Sequence, residues 1–215
     1  MKTIHALLFA AMFSCQIKTQ NSSANIYFTG QVGYEYTYES TKLNPDSLAK
    51  TKFSKSLFRF DSRDYQSQFI GKDTFSYSYS GETNHCLSET NHQKNYECED
   101  YGPATDSILY YQIYGTDEKV LGHPCFTIEW QGKYFWNKYW VASDLRIAPG
   151  TYEKHLAYNW QFYGKKTGGG VILKLEHRFK NYTMHGIATS IETGGKKFRA
   201  LEMETSVFDQ FCKKP

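Results

Sequence analysis

The chain has 215 residues, enough for one sizeable core and short for two full domains. Aromatic residues make up 17% and charged residues 22%, with many tyrosines and few helix-favouring runs, so the expectation is a β-rich globular protein. The formal net charge of +3 comes from basic residues scattered among acidic ones, with no arginine-rich run and no recognised reader motif, so no nucleic-acid partner is expected.

At the start, Met1 and Lys2 supply a positive charge, and Ile4 to Phe13 form an apolar stretch broken only by His5. That is too short to span a bilayer and suits an export signal over residues 1–14. Cys15 follows the small Ser14, where a bacterial lipoprotein signal carries its acylated cysteine, so lipid attachment at Cys15 is expected. The alternative is an ordinary secretory signal cut further on. Each buried acyl methylene adds about 0.8 kcal/mol of membrane affinity, and two or more chains hold a protein stably. Residues 15–24 then form a polar tether, and residues 25–215 a single β-rich domain, either in the periplasm or anchored to a membrane, or else secreted.

From Thr29 onward, Val32, Tyr34, Tyr36 and Tyr38 alternate with Gly33, Glu35, Thr37 and Glu39, a half-buried strand. A loop or one helical turn begins at Pro45, and "KSLFRF" resumes extended structure. "DTFSYSYSG" alternates again, with Phe75, Tyr77 and Tyr79 set against Ser76, Ser78 and Ser80. Residues 81–107 are polar and turn-rich and read as a long loop, which in a compact domain is either functional or stapled. Further strands are expected over Ile108–Tyr114, Lys119–Trp130, Lys133–Val141, Gly170–Phe179 and Tyr182–Ile191, with two-residue turns at Gln131-Gly132 and Lys180-Asn181. "SVFDQF" and the stretch around Trp160 read as short helices. The sum is a mainly β fold of about eight to ten antiparallel strands, a size that usually curls.

In the middle of that run, Phe135, Tyr139 and Val141 share one face of a strand while Tyr134, Trp136 and Trp140 share the other. A sheet wet on one side would not place aromatics on both. A strongly curved sheet gives a concave face lined with rings, each removing about 150–250 Å² from water when covered. A hydrophobic ligand is therefore expected against Tyr110, Phe126, Ile128, Trp130, Tyr134, Trp136 and Trp140, drawn from both faces. The competing expectation is a β-sandwich that fills both faces itself and binds a glycan or a partner protein of the envelope, with the 81–107 loop as its contact.

Apart from Cys15, four cysteines remain, and in an oxidising compartment an even number fits two disulfides in one of three pairings. Cys86 with Cys98 would close the polar loop, and Cys125 with Cys212 would pin the C-terminus to the sheet. His85, Cys86, His92 and Cys98 depart from zinc-site spacing, because neighbouring His85 and Cys86 would strain to reach one ion, so no metal is expected. His123 and Cys125 do not read as a catalytic thiol in an oxidising compartment. "GKKTGGG" lacks the order of a phosphate loop, and no nucleophile elbow is present, so no enzyme activity and no cofactor are expected.

Val120 to Ile147, "VLGHPCFTIEWQGKYFWNKYWVASDLRI", followed by Gly168 to Glu192, resembles the GLPGLI family of Bacteroidetes and, more loosely, the lipoprotein-carrier type of outer-membrane lipoprotein-sorting proteins. The shared features are Leu121-Gly122-x-x-Cys125 opening a strand, an aromatic strand ending near Trp140, an Asp-Leu-x-Ile segment, then a Gly-rich turn and two strands. Where the family carries its Gly-Leu-Pro-Gly-Leu-Ile signature, this chain reads "WQFYGKKTGGG". The resemblance implies a strongly curved antiparallel sheet, a half-barrel with one or two short helices inside, whose hollow takes acyl chains in the lipoprotein carriers. The expected role is that of a non-enzymatic cell-envelope lipoprotein holding a lipid or an acyl chain.

Overall fold

The computed structural model describes residues 27–91, 93, 95–194 and 205–212. The expected export signal, the tether and Cys15 lie outside the described residues, as does His92. Among the described residues, eleven strands form one antiparallel sheet. They are β1 (Gly30–Glu39), β2 (Phe53–Asp61), β3 (Asp64–Gly71), β4 (Thr74–Ser80), β5 (His85–Thr90), β6 (Tyr96–Asp100), β7 (Ile108–Val120), β8 (His123–Gly132), β9 (Trp136–Arg146), β10 (Gly170–Arg178) and β11 (Thr183–Thr193). Among the described residues, the helices are α1 (Pro45–Thr51), α2 (Trp160–Thr167) and α3 (Thr205–Cys212), with two 3-10 turns at Pro149–Thr151 and Ala157–Asn159.

Across the sheet the order is β6-β5-β4-β3-β2-β1-β11-β10-β9-β8-β7. The chain therefore builds one meander from β1 out to β6, crosses to the opposite edge, and builds a second meander from β7 back to β1. This connection dictates the curvature. β6 ends at Asp100 and β7 begins at Ile108, so the eight steps between the two edges reach at most about 28 Å. A flat sheet of eleven strands would set its edges about 48 Å apart. The sheet must roll until its edges approach, giving the expected half-barrel. It is a single rolled sheet, which replaces the alternative expectation of a sandwich.

Local sequence explains much of this. In β1, Val32, Tyr34, Tyr36 and Tyr38 are all buried, as their alternation predicts. Asn44 caps α1, its side-chain oxygen accepting from the Asp46 and Ser47 main-chain N–H groups at 2.8 and 3.3 Å, with Pro45 in the first turn. Lys180-Asn181 does sit at the tip of a tight turn, where the Phe179 N–H donates to the Tyr182 carbonyl at 2.9 Å. Gln131-Gly132 does not. Both residues belong to β8, and the turn moves to Lys133-Tyr134, closed by the Gly132 N–H donating to Phe135 O at 2.7 Å.

Residues 81–107 are not a long loop. They hold β5 and β6, so this stretch is sheet rather than a free contact loop. β3 also escapes the sequence pattern, because Gln66, Ser67 and Gln68 put polar side chains on both of its faces.

The disulfide is Cys98–Cys212, which corrects both expected pairings; Cys86 and Cys125 are free and buried. Register explains the first correction. Cys98 lies opposite Leu87 while Cys86 lies opposite Glu99, and this one-residue offset sends the two sulfurs to opposite faces of the sheet. Cys125, the other expected partner of Cys212, is on β8, next to the opposite edge strand in the sheet order, whereas α3 packs on β5 and β6. The bridge, together with a Tyr96–Phe211 ring contact at 5.3 Å, fixes α3 to the β6 edge.

Candidate functional site

Between β9 and β10 the chain turns inward, and residues 147–169 fill part of the half-barrel. Ile147, Tyr152, His155, Ala157 and Tyr163 are buried there. The main-chain N–H groups of Leu156 and Ala157 both donate to the Tyr101 carbonyl, at 2.9 and 3.1 Å, which locks this plug to the crossing between the edges. Beneath β8 and β9 the plug packs tightly: Trp130 meets Tyr139 edge-on at 4.8 Å and Phe162 at 5.9 Å.

On the other side of the plug the half-barrel stays open. A hollow of about 640 Å³ lies between the inner wall of β2–β4, carrying Phe53, Phe58, Tyr65, Phe69 and Tyr77, and the β10–β11 hairpin, carrying His177, Phe179, Tyr182 and Met184. Tyr152, Tyr158 and Trp160 of the plug complete it. A smaller chamber of about 130 Å³ continues inward past Phe58, Phe69, Trp160 and Met184 to Tyr34, Ile172 and Leu175. Ser67 is the small residue of the aromatic wall, standing in register between Phe58 and Tyr77. The charged groups of the hollow, Lys52, Asp73 and Glu99, are all at least partly exposed to solvent.

Tyr38 at the hollow and Tyr34, Tyr36 and Tyr139 around the inner chamber engage their hydroxyls within the protein. Tyr34 donates to Ile172 O and Tyr38 to Phe53 O, both at 2.6 Å. Tyr36 shares a bond with Ser56 at 2.7 Å, and Tyr139 with His177 Nε2 at 2.8 Å. Burial raises the pKa of every one of these phenols above the ordinary value, so they remain protonated. Burial also pushes the Cys86 thiol up to about 12, which keeps it from acting as a thiolate nucleophile near neutrality. Cys125 shifts the same way, and its neighbour His123 pairs instead with Asp144 at 3.1 Å. Among the described residues, no group of three or more His, Cys, Asp or Glu is placed to hold a metal ion.

His155 is fully buried, with Nδ1 donating to Ala157 O at 3.1 Å and Nε2 accepting from Tyr65 Oη at 3.0 Å. Desolvation lowers its pKa to about 4. His177, facing the hollow, moves in the same direction for the same reason. The unfolded chain, with an ordinary histidine pKa near 6.5, takes up a proton that the folded protein refuses. The stability contributed by the neutral ring is thus complete above about pH 6.5 and is lost as pH falls toward about 4. For His155 the expected loss is roughly 3 kcal/mol, read from urea midpoints across that window. His155→Gln should flatten much of the slope; an unchanged slope would place the titration elsewhere.

None of the seven residues expected to meet a ligand lines this hollow or the inner chamber. Ile128 and Trp130 are buried in the core and Phe126 packs half-buried against it. Tyr110 and Tyr134 are exposed, Tyr134 at the tip of the β8–β9 turn. Trp136 and Trp140 alternate with the inward Tyr139 and so face outward. There the Arg178 guanidinium lies 3.8 Å over Trp136, and Lys138 and Lys174 lie 4.8 and 4.3 Å over Trp140. The outer rings thus need no ligand, because cations with long aliphatic stems cover them. The wall residues of β2–β4 are absent from the expected set. The available signal for them is the single small Ser67 amid Phe58, Phe69 and Tyr77.

No family model and no curated protein matches this chain. Among solved structures it is similar to PNGF-II, with 12% identity and a TM-score of 0.48 over 80% of this chain and 29% of that one. It thus spans about three tenths of the PNGF-II chains it matches. It is also similar to the lipoprotein LppX of Mycobacterium tuberculosis, with 8% identity and a TM-score of 0.35 over 78% of this chain and 89% of that one. A β-barrel-like protein of the domain of unknown function DUF1849 from Brucella abortus aligns over 79% of this chain and 99% of its own, with 8% identity and a TM-score of 0.37. All three likenesses are distant.

Proposed function

We propose that the protein binds and carries a hydrophobic ligand, a lipid or an acyl chain, in the open half of its rolled sheet, without transforming it. We place it in the cell envelope as an exported lipoprotein anchored through Cys15. The observation that supports the binding role is a hollow of about 640 Å³ walled by aromatic rings, beside tyrosines whose hydroxyls are engaged within the protein. Its size falls in the range of about 300–1,000 Å³ usual for small-molecule sites. Its charged groups sit at the solvent side, where the head of an amphiphile would meet Lys52, Asp73 or Glu99 while the chain passes Phe69 toward Met184. The Cys98–Cys212 disulfide agrees with export, since such bridges persist in oxidising compartments.

The test compares native and denaturing mass spectra of protein extracted gently from its own membranes, together with uptake of a fluorescent fatty acid. Wild type should show mass lost only on denaturation, and the N-terminal peptide should carry acyl mass. Ser67→Phe fills the wall without touching the outer face, so it should weaken fatty-acid uptake at least tenfold, about 1.4 kcal/mol, in a folded protein. Undiminished uptake by a folded Ser67→Phe variant would show that the hollow is not the site.

A further inference from the structure

β7 lacks most of the guards that keep sheet edges apart. Edge strands are usually short, or protected by lysine, proline or strong bulges. β7 runs for 13 residues, and among the described residues no strand pairs with its outer side. Its stretch from Ile108 to Gly115 contains no charge and no proline. Leu109, Tyr110, Tyr111 and Ile113 are 67%, 56%, 41% and 43% exposed, so apolar surface stands on both faces of the strand. The register irregularities fall at Ile108–Tyr110 and Gly115–Lys119, which leaves Tyr110 to Gly115 regular. The opposite edge is different: β6 has five residues, among them Glu97, Glu99 and Asp100, and is tied to α3.

We propose that β7 pairs antiparallel with β7 of a second copy of this chain, about a two-fold axis at Gln112, making one sheet continuous through both. The open main-chain groups of an edge are matched best by another strand. With Gln112 at the centre, Ile108 lies opposite Thr116, Tyr110 opposite Tyr114 and Tyr111 opposite Ile113. No like charges meet, and the pairs are of the aromatic and β-branched kind that stabilise sheets. Pairing β7 with β6 instead would set these rings against carboxylates and would generate an open, head-to-tail series. The β7–β7 contact is isologous and closes on itself.

The test is the mass of the full-length protein by light scattering and sedimentation across micromolar concentrations, with its disulfide intact. Wild type should be a dimer, and Ile113→Lys should raise the dissociation constant at least tenfold while leaving the near-ultraviolet circular dichroism unchanged. As a second, milder probe, Gln112→Cys should oxidise to a covalent dimer. Opposed residues in such a ladder lie about 4.5–5.5 Å apart, within the roughly 4.4–6.8 Å that a disulfide spans. A monomeric wild type, open-ended oligomers, or a dimer that forms no Gln112→Cys cross-link would overturn the proposal.

Discussion

Replacing Cys98 and Cys212 together by alanine should lower stability by about 4–5 kcal/mol. The two cysteines are 114 residues apart in sequence. Opening a loop of that order frees the unfolded chain by about 4.7 kcal/mol in the chain-entropy account. α3 has only eight residues, too few to persist without an anchor, so its face against β5 and β6 should be exposed as well. At about 2–4 °C per kcal/mol for a domain of this size, the melting temperature should fall by roughly 10–15 °C. Reductant added to wild type should produce the same shift. A loss below about 1 kcal/mol would mean that α3 docks unaided and that the bridge merely records it.

Trp130→Ala should cost about 3–5 kcal/mol, whereas Trp136→Ala and Trp140→Ala should each cost about 1 kcal/mol or less. The contrast follows from position alone. Trp130 is 2% exposed, wedged between Tyr139 and Phe162, and truncating it leaves a cavity that the plug cannot collapse into. Trp136 and Trp140 stand on the outer face beneath Arg178, Lys138 and Lys174, and their loss frees side chains that can reach water. Urea unfolding gives the energies, and on the binding role proposed above native spectra give the second half of the expectation: neither outer substitution should reduce the bound mass. Loss of ligand in a folded Trp136→Ala or Trp140→Ala variant would return these indoles to the binding surface.

The strands with a clean two-residue period could be read from the sequence. β1 and β4 show it directly, and the later strands follow from spacing and turn residues. What failed was the reading of polarity as exposure. Ser76, Ser78 and Glu89 are buried, and β5 and β6 carry polar residues on a surface that α3 partly covers, so strands there looked like loop. The residues expected to meet a ligand lie away from the hollow for a related reason. Aromatics crowd the stretch from Phe126 to Trp140, turn included, but its inward rings mark the part of the half-barrel that α2 fills, with Phe162 and Tyr163 against Trp130 and Tyr139. The hollow opens where the plug stops short, and how far a plug reaches is a property of the whole fold that no local period encodes. The pairing of cysteines depended likewise on a one-residue register between β5 and β6.

The seam between β1 and β11 governs how the chain can be born. Gly30 pairs with Thr193 and Glu39 with Thr183, so the first strand made waits for the last. A nascent chain can fold its first meander early, but β1 then stands as a bare edge beside Tyr34, Tyr36 and Tyr38, with no neighbour yet synthesised on that side. The second meander grows separately from β7, and the two halves join only once β11 has emerged. Contacts of such long sequence separation form late and slowly, and an incomplete chain with an open aromatic edge is the species most prone to aggregate. A messenger truncated before the β11 codons should therefore yield an aggregating fragment, not a smaller folded protein.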